Sequence, residues 1–405
     1  MKLIEAIDHT IHSQEDALIA LRRHFHAHPE LSREEHDTTR ELAHTLEELG
    51  LHVTVRDEGF GLIADLVPDT FDPALHPTVA IRSDIDALAI LEETGLPYAS
   101  KTPGVMHACG HDMHMACVTG AVLALNDLKA RLPGRIRFFY QHAEEVAPGG
   151  AMDMVQAGCM EGVNHVLGLH CDPTLEVGHV GIRVGGFTAA ADSFDLVIRG
   201  TGGHSARPHE GVDTMFVTTL IINALYQAAS RLFDARSPIV IAIGSIHGGQ
   251  TYNVLPEQIA LKGTVRSLDP NHRVELRELF HRIATNTCQT YGATYELRFK
   301  HGAAAVINDA HVTEVIAGIA RELLGDDAVH TIPLPSMGAE DFSEFLQSAP
   351  GSMFRLGTLT PGEEPYFLHS PRFNPDERAI AIGARILSRA ALHLLHEGAP
   401  QGGTR

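Results

Sequence analysis

Long apolar runs are missing from this chain. No stretch reaches the roughly 18 apolar residues that a helix needs to cross a bilayer. The opening MKLIEAIDHTIHSQED carries acids and histidines where a signal peptide needs an apolar core. Cysteine is sparse: Cys109, Cys117, Cys159, Cys171 and Cys288 form no CxxC pair. That excludes a disulfide framework, disfavours a zinc-storage role and fits a reducing cytoplasm, the expected location. Basic charge is short too, with 31 lysines and arginines against 51 acids and a net charge of -20. There is no basic run and, with 6% aromatic residues and no tryptophan, no aromatic platform interleaved with one. Nucleic acid and anionic membranes are therefore excluded as natural partners. A small anionic substrate would need a local basic pocket set against the overall field. Gly202-Gly203 is followed by no Gly-Lys-Ser/Thr, so it is not a phosphate loop.

What remains is an ordinary globular composition in a chain long enough for two domains, with 405 residues of which 44% are hydrophobic and 20% charged. The first ~50 residues read as helices; Ser32-Arg33-Glu34-Glu35 has the form of a capping box, and Gly50 suits the end of the helix it opens. Strands are expected at 51–56, 61–67 and 78–82, the last running into Asp84 and Asp86. A helix is expected over 111–131, then a strand at 136–140 that ends at His142-Ala143-Glu144-Glu145, a helix near 151–156 and a strand over 165–170. Strands alternating with helices predict a layered α/β domain. The middle has another order: strand 194–199, helix 213–232, strands 240–246 and 258–266, helix 271–291, strand 294–300. That β-α-β-β-α-β succession matches the ferredoxin-like split motif. It predicts an inserted α+β domain over 187–301, with Gly185-Gly186 and His301-Gly302 as hinges, between two pieces of a first domain, 1–186 and 302–405, that ends in a helix over 376–396.

The chemistry concentrates in a few motifs. Met106-His107-Ala108-Cys109-Gly110-His111-Asp112-Met113-His114 places a thiol and an imidazole two residues apart in a glycine turn at the start of a helix. A thiolate, a neutral imidazole and a carboxylate are what a divalent transition metal asks for, and a helix start lowers a thiol pKa. Glu144-Glu145 follows a buried strand, where adjacent side chains diverge, so that one acid can bind metal while the other serves as a base. His170 ends an apolar strand, and His369 sits in Tyr366-Phe367-Leu368-His369-Ser370-Pro371. Asp84 and Asp86 alternate after their strand; one of them is expected to hold a ligand histidine by its second ring nitrogen, and at least one to be merely solvated. In the inserted domain, Gly202-Gly203-His204-Ser205-Ala206-Arg207-Pro208-His209 reads equally as a loop closing over substrate and as a tight surface turn.

Taken in order, these residues resemble the aminoacylase/carboxypeptidase metallopeptidase family in its amidohydrolase branch, which holds hippurate hydrolases, N-acyl-amino-acid amidohydrolases and auxin-conjugate hydrolases. The resemblance runs from Arg22-Arg23-His24-Phe25-His26-Ala27-His28-Pro29-Glu30-Leu31 through Arg82-Ser83-Asp84-Ile85-Asp86-Ala87-Leu88 and the Cys109 motif to Gly203-His204-Ser205-Ala206, Asn253-Val254-Leu255-Pro256, Gly338-Ala339-Glu340-Asp341-Phe342 and Leu368-His369-Ser370-Pro371. It implies a mixed-sheet, zinc-peptidase-like α/β catalytic domain with the inserted ferredoxin-like α+β domain as lid and dimerisation module. It also implies two divalent metal ions, with zinc, manganese or cobalt all compatible. Cys109 would bridge them, with His111, Glu145, His170 and His369 as the other ligands, Glu144 as general base and Asp86 orienting a ligand. His204 and Asn253 fall where lid residues reach the substrate, and Arg266 where a substrate carboxylate would be met. Two departures stand out: His142 replaces the usual proline before Ala-Glu-Glu, and Ser370 replaces an asparagine or threonine.

The implied activity is metal-dependent hydrolysis of the amide bond of N-acyl or N-aroyl amino acids by a metal-activated water, in a homodimer formed through the lid. A dipeptidase or carboxypeptidase using the same site is the nearer rival. A catalytically silent ligand-binding protein is the rival from another class, and the presence of Glu144 speaks against it.

Overall fold

The structure, a computed structural model, describes residues 2–399. The described chain makes two compact units, one of residues 2–187, 307–334 and 341–399, the other of Thr188–Val306 and Pro335–Glu340.

The first unit is built on an eight-stranded mixed sheet. Its centre is parallel, in the order Arg135–Gln141, Thr78–Asp84, His165–Glu176, Gly351–Leu359. These strands are near-continuous apolar text because helices cover the sheet. Antiparallel strands extend it: Leu62–Leu66 and then His52–Val55 on one side, and Val180–Ile182 on the other, where Val329–Thr331 pairs in parallel at the edge. The helix His111–Asn126 is buried on all sides, and Ala379–Gly398 packs along it. Gly120 permits that approach, since a Cβ there would stand 2.8 Å from the Cβ of Ala384. The predicted helix over 111–131 thus stops at Asn126, followed by a separate turn of 3-10 helix at Lys129–Arg131.

Two local expectations are corrected. Ser32 does not open the helix His36–Glu48; Glu35 stands at its N-cap and uses no side chain there. The first-turn amides of Asp37 and Thr38 donate instead to the Glu30 carboxylate at 3.0 and 2.7 Å, while the Ser32 hydroxyl is drawn to Asp86 Oδ2 at 2.7 Å. A buried carboxylate outcompetes a local amide for that hydroxyl. The strand expected to end at His170 runs on to Glu176, because its pairing with Gly351–Leu359 continues that far.

The second unit is a four-stranded antiparallel sheet in the order Ile239–His247, Gln258–Ser267, Ala190–Arg199, Thr294–Lys300. The helices Thr214–Arg231 and Pro270–Tyr291 pack on it around Phe194, Leu196, Ile221, Leu225 and Phe280. Asp213 and Asp269 cap these helices through their carboxylates. Among the described residues no helix is long and apolar enough to cross a membrane.

Candidate metal centre

The chemistry of the first unit gathers beyond the C-terminal ends of its central parallel strands, where open α/β sheets place their sites. Gly110 carries the first donors. Its φ of +88° opens the helix His111–Asn126, and a Cβ there would stand 3.0 Å from Cys171 Sγ, so only glycine fits. Cys109 and His111 flank it and are buried.

The strand Arg135–Gln141 delivers Glu144 and Glu145 through a strained turn: Ala143 sits at φ +51°, in the left-handed region that side chains disfavour. Its amide donates to Glu35 Oε1 at 2.7 Å, its carbonyl accepts from Gly150 N at 2.9 Å, and the amide of Glu145 donates to Asp86 Oδ2 at 3.0 Å. Gly150 cannot be replaced, because a Cβ would lie 1.9 Å from the His142 carbonyl oxygen. His142 itself is buried against Phe60, and its Nε2 faces Asp153 Oδ2 at 3.3 Å. His369 is the second strained residue, at φ +66°, tied by its amide to the Ala108 carbonyl at 2.8 Å.

The donor atoms form two overlapping groups that share Cys109. Ligand atoms of Cys109, His111 and His170 lie within 4.8 Å of one another, and so do those of Cys109, Glu145 and His369. Cys109 Sγ is 3.5 Å from His170 Nε2; Glu145 Oε1 is 3.3 Å from His369 Nε2 and 3.9 Å from His111 Nε2. Glu144 has an oxygen in the same range of His111 and Glu145. Behind them, the second ring nitrogens are taken. His111 Nδ1 faces the Asp86 carbonyl at 2.8 Å and Asp86 Oδ1 at 3.1 Å, and His170 Nδ1 donates to the Cys171 carbonyl at 2.9 Å. That is how proteins orient histidine toward a metal. His114 is not an open donor: its Nδ1 binds Asp84 Oδ1 at 2.6 Å, and its Nε2 accepts the Cys171 amide at 3.0 Å. Neither aspartate is a solvated bystander, since Asp84 and Asp86 are 0% and 1% exposed.

The electrostatics ask for cations. Burial and then the nearby Glu145 carboxylate push the Cys109 thiol well above its ordinary range, so the expectation of a low thiol pKa is corrected; the helix starts two residues later, and the local charge is negative. Burial opposes a charged His111, yet Asp84 and Asp86 hold its pKa well above normal. Burial, then the neighbouring Arg355 cation, holds His170 well below, as a neutral ring. His111 Nε2 and Glu145 Oε1 are buried without a hydrogen-bond partner among the described residues. Partnerless buried donors beside a thiol and two imidazoles in an acidic enclosure fit divalent transition ions.

The remaining predicted residues lie in the second unit. His204 and Asn253 come together there: Gly203–His204 pairs antiparallel with Val254–Leu255, Ser205 N donates to the Asn253 carbonyl at 3.2 Å, and both residues are exposed. Arg266 is half-buried on its strand and donates through Nη1 to the Met337 carbonyl at 2.7 Å. Two supports were not legible as such in the sequence. One is Glu35, which the capping reading assigned elsewhere. The other is the buried set in which Arg82 reaches Asp84, Gln141 and Asp341 at 2.7–3.1 Å; the motifs holding Arg82 and Asp341 were visible in the sequence, but not that they meet.

Residues 80–393 match peptidase family M20/M25/M40. A protein named "Probable hydrolase" from Synechocystis is 45% identical over 375 residues, covering 92% of this chain and 94% of the relative. An N-acyl-L-amino acid amidohydrolase from Geobacillus stearothermophilus is 40% identical, covering 75% and 81%, and thermostable carboxypeptidase 1 from Saccharolobus solfataricus is 38% identical, covering 95% and 97%. Among solved structures, a dinuclear metal-binding peptidase from Bacillus subtilis superposes with a TM-score of 0.81 at 33% identity, covering 95% of this chain and 99% of that one.

Proposed function

Because the chain belongs to peptidase family M20/M25/M40 and is a metal-dependent amidohydrolase, we propose that it cleaves the amide bond of N-acyl or N-aroyl amino acids at a two-metal centre held by Cys109, His111, Glu145, His170 and His369. One observation carries this reading: two donor groups overlap in a single thiol. Cys109 would be the donor shared by two divalent ions held in these groups. When bound, the ions supply charge that polarises an amide carbonyl and acidifies water.

Glu144 is the proton carrier. It stands beside the ligand Glu145 on the strained Ala143 turn, close to the donors yet outside both Cys109 groups. It takes a proton from water as the oxygen attacks the amide carbonyl, and returns it to the leaving amine. Asp86 keeps His111 oriented and braces the Glu145 amide, so one carboxylate positions both a ring and a turn. His204 and Asn253 are the substrate-facing residues of the second unit, with His204 as donor to the oxyanion; we assign Arg266 there with them. Two copies associate through that unit, a reading supported by Val240 and Ile246 on its edge strand and Met215, Phe216 and Tyr226 on its helix, all exposed; a monomeric mass in sedimentation would reject it.

The carboxypeptidase relative keeps a second reading open, cleavage of peptides with a free amino group. Parallel assays of the metal-loaded protein on N-acetyl and N-benzoyl amino acids and on dipeptides separate the two. Preferential turnover of the acyl compounds supports the proposal; turnover of dipeptides alone refutes it. Glu144→Gln should bind metal normally and lose about 10²–10⁴-fold in kcat; wild-type turnover would remove Glu144 from its role.

A further inference from the structure

We propose that Arg355 is the first unit's receptor for the α-carboxylate of the substrate, an inference that rests on the N-acyl amino acid reading above. A chain with net charge -20 repels anions, so a substrate carboxylate needs a cation that no protein carboxylate has claimed. The arginines near the centre are mostly claimed. Arg82 is bound to Asp84, Gln141 and Asp341, and Arg22 to Asp112. Arg183 donates to the carbonyls of Gly186, Ile332 and Pro333. Arg355 is different: it is half-buried, yet among the described residues its side chain makes no hydrogen bond and no ion pair. Its guanidinium lies over the Phe187 ring, 5.2 Å from the centroid, which orients the plane without using any of its N–H groups.

Its place in the sheet aims it at the chemistry. On the parallel strands His165–Glu176 and Gly351–Leu359, Arg355 is the register partner of His170. Register partners project to the same face about 4.8 Å apart. Arg355 therefore stands one strand's width from the His170 imidazole. In an N-acyl amino acid only the nitrogen and the α-carbon separate the carboxylate from the scissile carbonyl. A group that holds the carboxylate must stand next to the metal ligands and offer a fork of donors, and an unpaired guanidinium does both.

The test compares the metal-loaded full chain with R355Q and R355K on N-acetyl-methionine and N-benzoylglycine and on the corresponding primary amides, which keep the scissile bond and lose the negative charge. The acid-over-amide preference in kcat/KM should fall about tenfold to a hundredfold in R355Q, carried by KM, with R355K in between. Equal losses on acid and amide would mark Arg355 as merely structural and overturn the assignment, as would an unchanged preference. Calorimetry in the Glu144→Gln background gives a readout without turnover: the Kd for N-acetyl-methionine should weaken by a similar factor when Arg355→Gln is added. If the wild type hydrolyses none of these compounds, the functional reading fails by itself; the calorimetric comparison still decides Arg355, because an unchanged Kd, or no binding at all, overturns it.

Discussion

Replacing Glu35 by glutamine should make the protein more stable as the pH rises. Glu35 is buried, accepts the Ala143 amide through Oε1 and leaves Oε2 without a partner among the described residues. Burial, followed by the nearby Asp86 carboxylate, pushes its pKa from 4.5 up to about 8. Between those values the folded protein keeps a proton that the unfolded chain has lost. Its contribution to stability is complete below pH 4.5, declines as pH rises and is exhausted above about 8. The slope is about 1.4 kcal/mol per pH unit, so about 3 kcal/mol disappears between pH 5 and 7. Glutamine keeps the acceptor for Ala143 and carries no titrating proton. Thermal melting of metal-free wild type and E35Q at pH 5, 6, 7 and 8 isolates the term as a difference between two profiles. At roughly 1–2 °C per kcal/mol for a chain of this size, the melting temperatures should separate by about 3–5 °C in favour of E35Q between pH 5 and 7. Parallel profiles would refute the assignment of a protonated, buried Glu35.

Two further outcomes follow from buried charge. Arg22 Nε lies 2.7 Å from Asp112 Oδ2 with both side chains fully buried, and His26 Nδ1 reaches the same oxygen at 2.8 Å. Arg22→Met strands the carboxylate and should cost about 3–5 kcal/mol in urea denaturation; a loss under 1 kcal/mol would show that His26 and water suffice. Asp86→Ala frees the His111 ring and the Glu145 amide, and should weaken metal affinity about 10–100-fold in competition with a chelator; unchanged affinity would remove Asp86 from its orienting role.

What could be read from the sequence followed local rules. Buried strands that end in acids, a Cys-x-His turn opening a helix, and the succession of strands and helices in the inserted segment all announce themselves within a few residues. The observed elements Ala190–Arg199, Thr214–Arg231, Ile239–His247, Gln258–Ser267, Pro270–Tyr291 and Thr294–Lys300 keep that order, with ends shifted by a few residues. The unread part is long-range. Glu35 meets Ala143 across 108 positions, and Ser32 meets Asp86 across 54, so the capping pattern around Ser32 was locally plausible and lost to a partner that local text does not show. His170 does not end its strand because Gly351–Leu359, far along the chain, continues to pair with it. The Cys109 thiol was misjudged for the same reason: burial by the assembled core raises it, and Glu145, arriving after another strand, adds negative charge beside it. Arg355 carries no sequence motif, and it stands out only once its neighbours are known to offer no acid.

The central claim, two divalent ions sharing one thiolate, is tested most directly by metal analysis of the protein purified without added chelator, beside Cys109→Ala. The account predicts two equivalents of divalent transition metal per chain in the wild type, and loss of most of both in the variant, since each donor group contains Cys109. A single equivalent in the wild type, or undiminished metal in Cys109→Ala, would contradict it.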